Sequence, residues 1–246
     1  MTHSSAWTVT TWNLQGSRGV DGAAVGNVVR EHAPDVVAVQ EIRRRDAHRL
    51  AAALDMRVGW ALKHFPFTWL MWWRAEGMAI LTPHELAAPG STEISVRRSL
   101  RWDWRRRIAQ WACIRRGDDA LFVVNIHLSP HALGAERLAE AQRVAEIVAE
   151  HSGDQPVVIA GDFNDDTDPA VIDALPAVEH VAAGFTNPSS APAQALDHVL
   201  VPEESIDVDV RVPPGGPTWA ALSDHVPVTV RFTVPDPPAT AASADD

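Results

Sequence analysis

Short apolar runs, several of them with a polar residue at one end, set the pattern of this chain. Continuous apolar runs of this length are typical of strands that are covered on both faces. Apolar residues at helical spacing predict helices at residues 22–32 and 46–55, and a third through 138–148 that ends near Gly153. Residues 57–75 are too crowded with aromatic side chains to assign. We expect strands at residues 9–13, 35–40, 78–81, 107–114, 120–128, 156–160, 196–201, 206–212 and 226–233, with a hairpin turn at Gly117-Asp118.

The order of these elements predicts the fold class. Many strands, few helices and no regular strand–helix alternation favour a layered α/β sandwich. No internal repeat or linker divides the chain. We therefore expect one domain at residues 7–234, preceded by a flexible N-terminus at 1–6 and followed by a tail at 235–246 whose Pro, Ala and Asp content predicts disorder.

The polar residues at the strand ends are the candidates for chemistry. Residues that are distant in the chain can converge in this way on one phosphate in a hydrolytic metal site. The carboxylate and amide oxygens among them suit Mg²⁺ or Mn²⁺. The candidates are Asn13, Glu41, His127, Asp162, Asn164, Asp197, Asp224 and His225.

Each candidate also has an ordinary structural explanation. Glu41 could be a surface glutamate paired with an arginine at 43–45, and Asp162 with Asn164 could form a simple Asx turn after a glycine that allows a sharp exit from the strand. A histidine inside an apolar strand, such as His127, is more often a hydrogen-bonded core residue. A buried Asp197 is costly unless it is paired, and pairing with His225 would also fix the imidazole.

Composition and charge limit the possible functions. The chain has 246 residues, 46% of them hydrophobic, and no stretch long enough for stable membrane insertion. No secretory signal is expected, and the single cysteine, Cys113, excludes an internal disulfide and a cysteine-rich zinc site, so we expect a cytoplasmic protein. The net charge of -11 weakens a nucleic-acid reading, but eight arginines at 97–116 give local positive charge.

Six motifs follow one another along the chain: Trp12-Asn13, Gln40-Glu41, Asn125-Ile126-His127, Gly161-Asp162-Phe163-Asn164, Leu196-Asp197-His198 and Ser223-Asp224-His225. Taken in order, they resemble the endonuclease/exonuclease/phosphatase superfamily, which includes deoxyribonuclease I-like and exonuclease III-like enzymes. The resemblance covers about residues 7–233 and includes the stretch Gly77-Met78-Ala79-Ile80-Leu81. It implies a four-layer sandwich of two face-to-face mixed sheets flanked by helices, and metal-assisted hydrolysis of a phosphate ester with Mg²⁺ or Mn²⁺.

The resemblance also implies a role for each candidate. Glu41 looks like the principal metal ligand, Asn13 its neighbour and Asp224 a second carboxylate on the metal side. Asp162 would orient or deprotonate the attacking water, and Asn164 would hold the phosphate and that carboxylate.

The two histidines take the remaining roles. His225, oriented by Asp197, would stabilise the developing charge or transfer a proton. His127 would contact the phosphate.

Some residues depart from the family pattern. Gln15 stands where repair nucleases of the family have aspartate, which looks more like the deoxyribonuclease I branch. The chain has no tyrosine, and Thr82-Pro83 replaces the Ser-Arg that often follows Ala-Ile-Leu. Arg107 resembles a recurrent family arginine and is a candidate for substrate binding.

The substrate stays open at this point. Trp72, in an aromatic stretch at 69–73, and Trp104, beside the arginine cluster, are candidates to stack on bases or to meet a lipid headgroup, although such rings can also be core residues. The leading hypothesis is a phosphodiesterase or nuclease whose substrate is DNA or RNA. The alternatives are a phosphomonoesterase or phospholipid-headgroup phosphodiesterase, and a catalytically inactive phosphate-binding module. The sequence identifies no oligomeric partner.

Overall fold

The predicted apolar runs belong to two six-stranded sheets in the computed structural model. The structure describes residues 4–64, 69–95, 106–130, 133–165, 169–175, 178–181 and 184–235, with only the backbone for Ser17, Trp69, Met71 and Trp72. In chain order the strands are β1 (Ser5–Asn13), β2 (Val36–Arg43), β3 (Arg57–His64), β4 (Glu76–Thr82), β5 (Glu85–Glu93), β6 (Ile108–Arg116), β7 (Asp119–His127), β8 (Val157–Asp162), β9 (Val178–His180), β10 (Asp197–Pro202), β11 (Ile206–Arg211) and β12 (Val228–Val234).

The helices of the described chain lie between these strands. They are α1 (Gly22–Arg30), α2 (Arg44–Leu54), α3 (Gly134–His151), α4 (Pro169–Asp173) and α5 (Pro217–Ala220), with 3-10 turns at Gly16–Arg18 and Trp69–Arg74. Asp21 begins α1 because its side chain accepts hydrogen bonds from two backbone amides of the first turn. Gly153, with φ of 57°, follows α3 where the sequence predicted the end of that helix.

Both sheets are mixed and have similar topologies. The first has the order β11-β12-β1-β2-β4-β3, in which only β1 and β2 run parallel. The second has the order β5-β6-β7-β8-β10-β9, in which only β7 and β8 run parallel. A parallel pair at the centre of each sheet brings two strand ends, and the starts of their antiparallel neighbours, to one edge.

Three apolar cores make the four layers. One lies between the sheets and includes Val9, Val158 and Val199. A second packs α1 and α2 against the first sheet, and a third packs α3 and α4 against the second. The predicted four-layer sandwich is therefore confirmed.

A buried polar network joins the two sheets beneath this edge. The Gln40 side chain donates to Asn125 Oδ1 over 2.8 Å, and Asn125 Nδ2 donates to the carbonyls of Val39 and Ala79. Asn125 has no exposed surface. Because amide donors and acceptors must match here, the network fixes how the sheets are aligned.

Several elements differ from the sequence prediction. The unassigned segment 57–75 contains β3, and β5 and β9 were missed. β5 carries Pro89 and Gly90 and lies at the edge of its sheet, so its sequence has no regular apolar alternation. β1 begins at Ser5, two residues before the predicted domain boundary, because Ser5 pairs with Val234. Of the predicted tail at 235–246, residues 236–246 lie outside the described residues.

Candidate active site

The predicted residues gather at the edge where the ends of β1, β7 and β8 meet the starts of β10 and of the segment before β12. Asp162 ends β8, and its register partners on the two neighbouring strands are His127 and Asp197. Side chains of register partners lie on the same face of a sheet. Asp162 and Asp197 are each two residues from Ala160 and Val199, whose side chains point into the core between the sheets. Because side chains alternate along a strand, the two carboxylates point the same way and lie at the rim between the sheets.

Asp162 is held by two donors. Asn13 Nδ2 donates to Asp162 Oδ2, and the backbone amide of Asn164 donates to Oδ1, both over 2.8 Å. The pKa of Asp162 is raised, chiefly by burial and then by the nearby Asp197 carboxylate. A carboxylate in this state is a stronger base than an exposed aspartate.

Asn164 reaches Asp162 through its backbone, and its side chain has another partner. The Asn164 Nδ2 donates to the Leu128 carbonyl over 3.0 Å, so the side chain ties the loop after β8 to the end of β7. Asn164 has a φ of 51°, a left-handed conformation that asparagine tolerates well. The amide oxygen of Asn164 remains a candidate to contact a substrate.

Gly161 is required by close packing inside β8. A Cβ atom there would lie 2.0 Å from the Ile126 carbonyl oxygen, so no other residue fits. The predicted reason, a sharp exit from the strand, was therefore wrong, because β8 continues through Asp162.

His225 forms a close ion pair with Asp197. Its Nδ1 lies 2.6 Å from Asp197 Oδ2, and both side chains are buried. Burial alone lowers the pKa of His225, but Asp197, with contributions from Asp162 and Asp224, outweighs burial and raises the pKa to about 10. The ring is therefore an imidazolium at neutral pH, and it faces the same rim as Asp162.

The first and last strands are tied together at this rim. Trp12 Nε1 donates to the His225 carbonyl over 2.8 Å, and Ser223 Oγ donates to the Asn13 carbonyl over 2.6 Å. Ser223 therefore fixes the position of the segment that carries His225 relative to the end of β1.

Glu41 lies on a bulge within β2 and not at the predicted strand end. β2 continues to Arg43, and its pairing with β4 shifts by one residue between Val39 and Ile42. Glu41 adopts a left-handed backbone with φ of 52°, which is unfavourable for this residue type and is typical of functional sites. The bulge lets Gln40 face the other sheet and Ile42 face the helices.

The loop after β1 packs closely on this bulge. A Cβ atom on Gly16 would lie 2.0 Å from the Glu41 carbonyl oxygen, so glycine allows the contact. The neighbouring Gln15 also has a positive φ, of 44°, and its backbone N–H donates to Asn13 Oδ1. Both ends of the Asn13 amide are thus held in place.

Glu41 and Asp162 approach one imidazole nitrogen. His127 Nε2 lies 3.9 Å from Glu41 Oε1 and 3.6 Å from Asp162 Oδ2. The pKa of Glu41 is raised by burial and by the Glu76 and Asp162 carboxylates, while Lys63 and Arg107 oppose the rise. Glu41 therefore lies among both carboxylates and cations, and its side chain is 25% exposed.

The structure places the other predicted residues as follows. Arg107 is buried, and burial lowers its pKa against the opposing carboxylates of Glu140 and Asp162. The Asp224 carboxylate accepts from Ser223 Oγ over 3.3 Å at the edge of the site. Trp104 and the side chain of Trp72 lie outside the described residues, so their contacts stay predictions.

Within the described chain, one set of three side chains places possible metal-ligating atoms within 4.8 Å of one another: Asp162, Asp197 and His225. Glu41 and Asp224, the predicted ligands, do not belong to it. A protonated imidazole has no lone pair to give a metal, and His225 Nδ1 already bonds Asp197. We therefore interpret Asp197 and His225 as a proton-holding pair.

Two charged residues of the site were missed in the sequence. Lys63, near the end of β3, lies 3.1 Å from Glu76 Oε1 and 3.1 Å from His127 Nδ1. Glu76 begins β4, directly before the Gly77–Leu81 stretch, and a carboxylate at a strand start was the signal that could have found it. Lysine is almost never buried, so nothing in the sequence marked Lys63.

Comparisons with known proteins agree with this geometry. Residues 10–225 match the Endonuclease/Exonuclease/phosphatase family. The chain therefore belongs to the endonuclease/exonuclease/phosphatase family, whose members hydrolyse phosphate esters.

Individual relatives are more distant. The protein named uncharacterized protein YbhP from Escherichia coli K12 is 31% identical over 121 residues, 46% of each chain, so the match spans about half the length of that relative. The crystal structure of an endonuclease/exonuclease/phosphatase from Bacteroides vulgatus has a TM-score of 0.75 at 18% identity and covers 93% of this chain and 98% of its own. The mannosyl-6-phosphatase Bt3783 from Bacteroides thetaiotaomicron has a TM-score of 0.69 at 19% identity and covers 92% and 99%. At these identities, the two structures show a shared fold.

A long apolar helix is absent from the described residues, in which no helix meets the requirements for crossing a membrane.

Proposed function

We propose that the protein is a divalent-metal-dependent hydrolase that cleaves phosphodiesters, with nucleic acid as the leading substrate class. The observation that carries the proposal is the arrangement around Asp162. The buried Asp162 carboxylate has a raised pKa and lies beside the His225 imidazolium. His127 is a neighbour of both Asp162 and Glu41. Phosphoryl transfer needs a positioned water and a cation that stabilises the developing charge, and this rim supplies groups for both.

The residues present fit a hard divalent cation. Burial contributes most to the raised pKa of Glu41 and the Glu76 and Asp162 carboxylates add to it, so a dication at this partly exposed carboxylate would favour its ionised form. Glu41 and the Asn13 amide oxygen would hold the ion, with Asp224 as a further carboxylate. When bound, the ion would neutralise charge on the phosphate oxygens.

The protein's own side chains would carry the proton and charge movements. Asp162, fixed by Asn13 and the Asn164 amide, would accept a hydrogen bond from the attacking water and then its proton. His225 would donate from Nε2 to an oxygen on which charge develops, since Nδ1 is bound to Asp197. Arg107 adds a buried positive charge close to Asp162 and Glu41.

Substrate class rests on the surroundings of the rim. Trp73 is 60% exposed and lies in the turn that leads into Glu76, where it could stack on a base. A phosphomonoester is the second candidate, because Lys63, Arg107 and His225 concentrate positive charge that suits a dianion, and one structural neighbour is named a phosphatase.

Hydrolysis of two model esters tests the proposal. We expect bis-p-nitrophenyl phosphate to be cleaved faster than p-nitrophenyl phosphate with Mg²⁺ or Mn²⁺, and neither to be cleaved with EDTA. Asp162→Asn should abolish turnover, since it removes the proton acceptor, whereas Asp154→Asn, at an exposed turn before β8, should not. Normal turnover by Asp162→Asn would exclude its role.

The remaining outcomes separate the alternatives. Faster monoester cleavage would favour a phosphatase, and metal binding without turnover of either ester would favour a binding module. If diester cleavage is found, oligonucleotide binding should fall steeply as salt rises, because phosphate contacts release counterions. A small phosphodiester substrate would show little salt dependence.

A further inference from the structure

Lys63 is a buried cation that contacts three groups of the candidate site. Its side chain is 3% exposed, and Nζ lies 3.1 Å from Glu76 Oε1, 3.1 Å from His127 Nδ1 and 3.9 Å from Glu41 Oε1. β3 reaches this position because it pairs with β4 at the outer edge of the first sheet. Gly59 and Ala61 share the inward face of β3 with Lys63.

The contacts favour a protonated lysine. Nζ donates to Glu76 Oε1 over 3.1 Å, and this ion pair favours the ammonium form, although burial and the nearby Arg107 lower the pKa of Lys63 below its ordinary value against the opposing Glu76 and Glu41 carboxylates. Lys63 and His64 in turn lower the pKa of Glu76, although burial of Glu76 acts in the opposite direction. An ammonium has three protons and no acceptor, so one proton bonds Glu76 and a second is directed at His127 Nδ1.

The other ring nitrogen gives an independent indication. His127 Nε2 faces Glu41 Oε1 at 3.9 Å and Asp162 Oδ2 at 3.6 Å. Ionised carboxylates only accept hydrogen bonds. An Nε2 without a proton would be an acceptor facing two acceptors, whereas an Nε2–H is attracted by both carboxylates. A ring protonated on both nitrogens would direct an N–H at the Lys63 ammonium 3.1 Å away, so the contact favours a neutral ring with a lone pair on Nδ1.

We propose that Lys63 is a positioning residue that holds His127 in its neutral Nε2–H tautomer, so that His127 presents a hydrogen-bond donor to a substrate oxygen. That this oxygen belongs to a phosphate rests on the proposed function. The two histidines then have different tasks. His225 is the charged group, and His127 is a neutral donor that takes no part in proton transfer.

A different explanation is that Lys63 only neutralises the buried Glu76. Three variants separate the two explanations. Lys63→Gln keeps a donor without the charge, Lys63→Met keeps the length without a donor, and the double variant Lys63→Met with Glu76→Gln also removes the carboxylate that the single variant leaves unpaired. The double variant protects the test from a failure to fold, because no buried charge is left alone.

Nitrogen-15 NMR of the imidazole rings at one pH, without metal, reads the tautomer directly. The His127 signals are identified by their loss in His127→Gln. We expect the Nε2–H form in the wild type and in Lys63→Gln, and a clearly smaller population of it in Lys63→Met and in the double variant, in which only the Glu41 and Asp162 carboxylates still favour it. A wild-type ring with its proton on Nδ1, or an unchanged tautomer in both Lys63→Met variants, would overturn the proposal.

Kinetics give the second measurement. Loss of one oriented donor should lower kcat about tenfold or more with little change in KM. Lys63→Gln should retain most of the activity, and the double variant should stay impaired. Recovery of activity in the double variant would assign Lys63 to charge neutralisation alone and overturn the proposal.

The NMR result does not depend on turnover. If the tautomer behaves as expected but no phosphate ester is cleaved, the proposed function fails and the role of Lys63 in orienting His127 stands. If esters are cleaved but the wild-type ring carries its proton on Nδ1, only the role of Lys63 fails.

Discussion

Replacing Asp197 by asparagine tests the ion pair at the centre of the site. Asp197→Asn keeps the size of the side chain and a hydrogen-bond acceptor for His225 Nδ1, but it removes the negative charge 2.6 Å from the ring. Burial then acts on His225 without its main opposing charge. We expect the pKa of His225 to fall from about 10 to its ordinary value of 6.5 or lower.

The size of the effect follows from these two values. A tenfold change in proton affinity corresponds to about 1.4 kcal/mol, so the interaction that raises the pKa from 6.5 to about 10 is worth at most about 5 kcal/mol. With a pKa of 6.5, only about 3% of His225 would be charged at pH 8, so turnover that needs the imidazolium should fall about thirtyfold. The variant should regain activity as the pH is lowered toward 6.

Stability should change with pH in the same sense. Because the folded-state pKa of His225 is raised, the ion pair stabilises the wild type fully below pH 6.5, and this contribution is lost as the pH rises through about 10. The difference in free energy of unfolding between wild type and Asp197→Asn should therefore be largest near pH 6 and shrink toward pH 10. Urea unfolding at several pH values measures it.

The assay is hydrolysis of the model diester from pH 5.5 to 9.5, beside a matched control. Asp35→Asn also removes a carboxylate from a histidine, since His84 Nε2 lies 2.7 Å from Asp35 Oδ1. Asp35 precedes β2 and lies about 20 Å along that strand from Glu41, so the control should affect stability and leave the pH profile of activity unchanged. Wild-type and Asp197→Asn profiles of the same shape would refute the reasoning.

Two further variants test the metal ligand and the network between the sheets. Glu41→Gln should raise the Mg²⁺ concentration needed for half-maximal activity by about tenfold or more, because a charged ligand is lost; the exposed Glu203→Gln is its control, and an unchanged Mg²⁺ requirement would exclude Glu41 as a ligand. Asn125→Ala should lower the free energy of unfolding by about 3 kcal/mol or more, since Gln40 and two carbonyls lose their buried partner. Urea unfolding beside Asn27→Ala, on the exposed face of α1, measures this loss, and equal stabilities would contradict the assigned network.

The sequence contained most of the fold because its buried strands are short and continuous. Runs such as Val36–Val39 and Val157–Ala160 are covered on both faces, and each produced the expected strand. β5 could not be found in this way, because an edge strand needs no apolar alternation. β3 was hidden because its outward face carries Trp60 and Leu62 while its inward face ends in Lys63.

Convergence of the site could be predicted, but its bonding could not. Asp162 and Asp197 stand at strand ends that the topology brings into register, so their approach follows from the strand order. That Asn164 reaches Asp162 through its backbone depends on a left-handed residue that the sequence alone does not specify. The bulge at Glu41 is similar, since it depends on the register between β2 and β4, which is set by the whole sheet.

The bonds between the first and last strands have a consequence for protein synthesis. Asn13 is made early, but the segment that positions it carries Ser223 and His225, which are made more than two hundred residues later. Until that segment emerges from the ribosome, β1 lacks its β12 neighbour and the Asp197 carboxylate lacks its counter-ion. A nascent chain that ends before this segment would lack both Asp224 and His225, so we expect it to be inactive if the proposed function is correct.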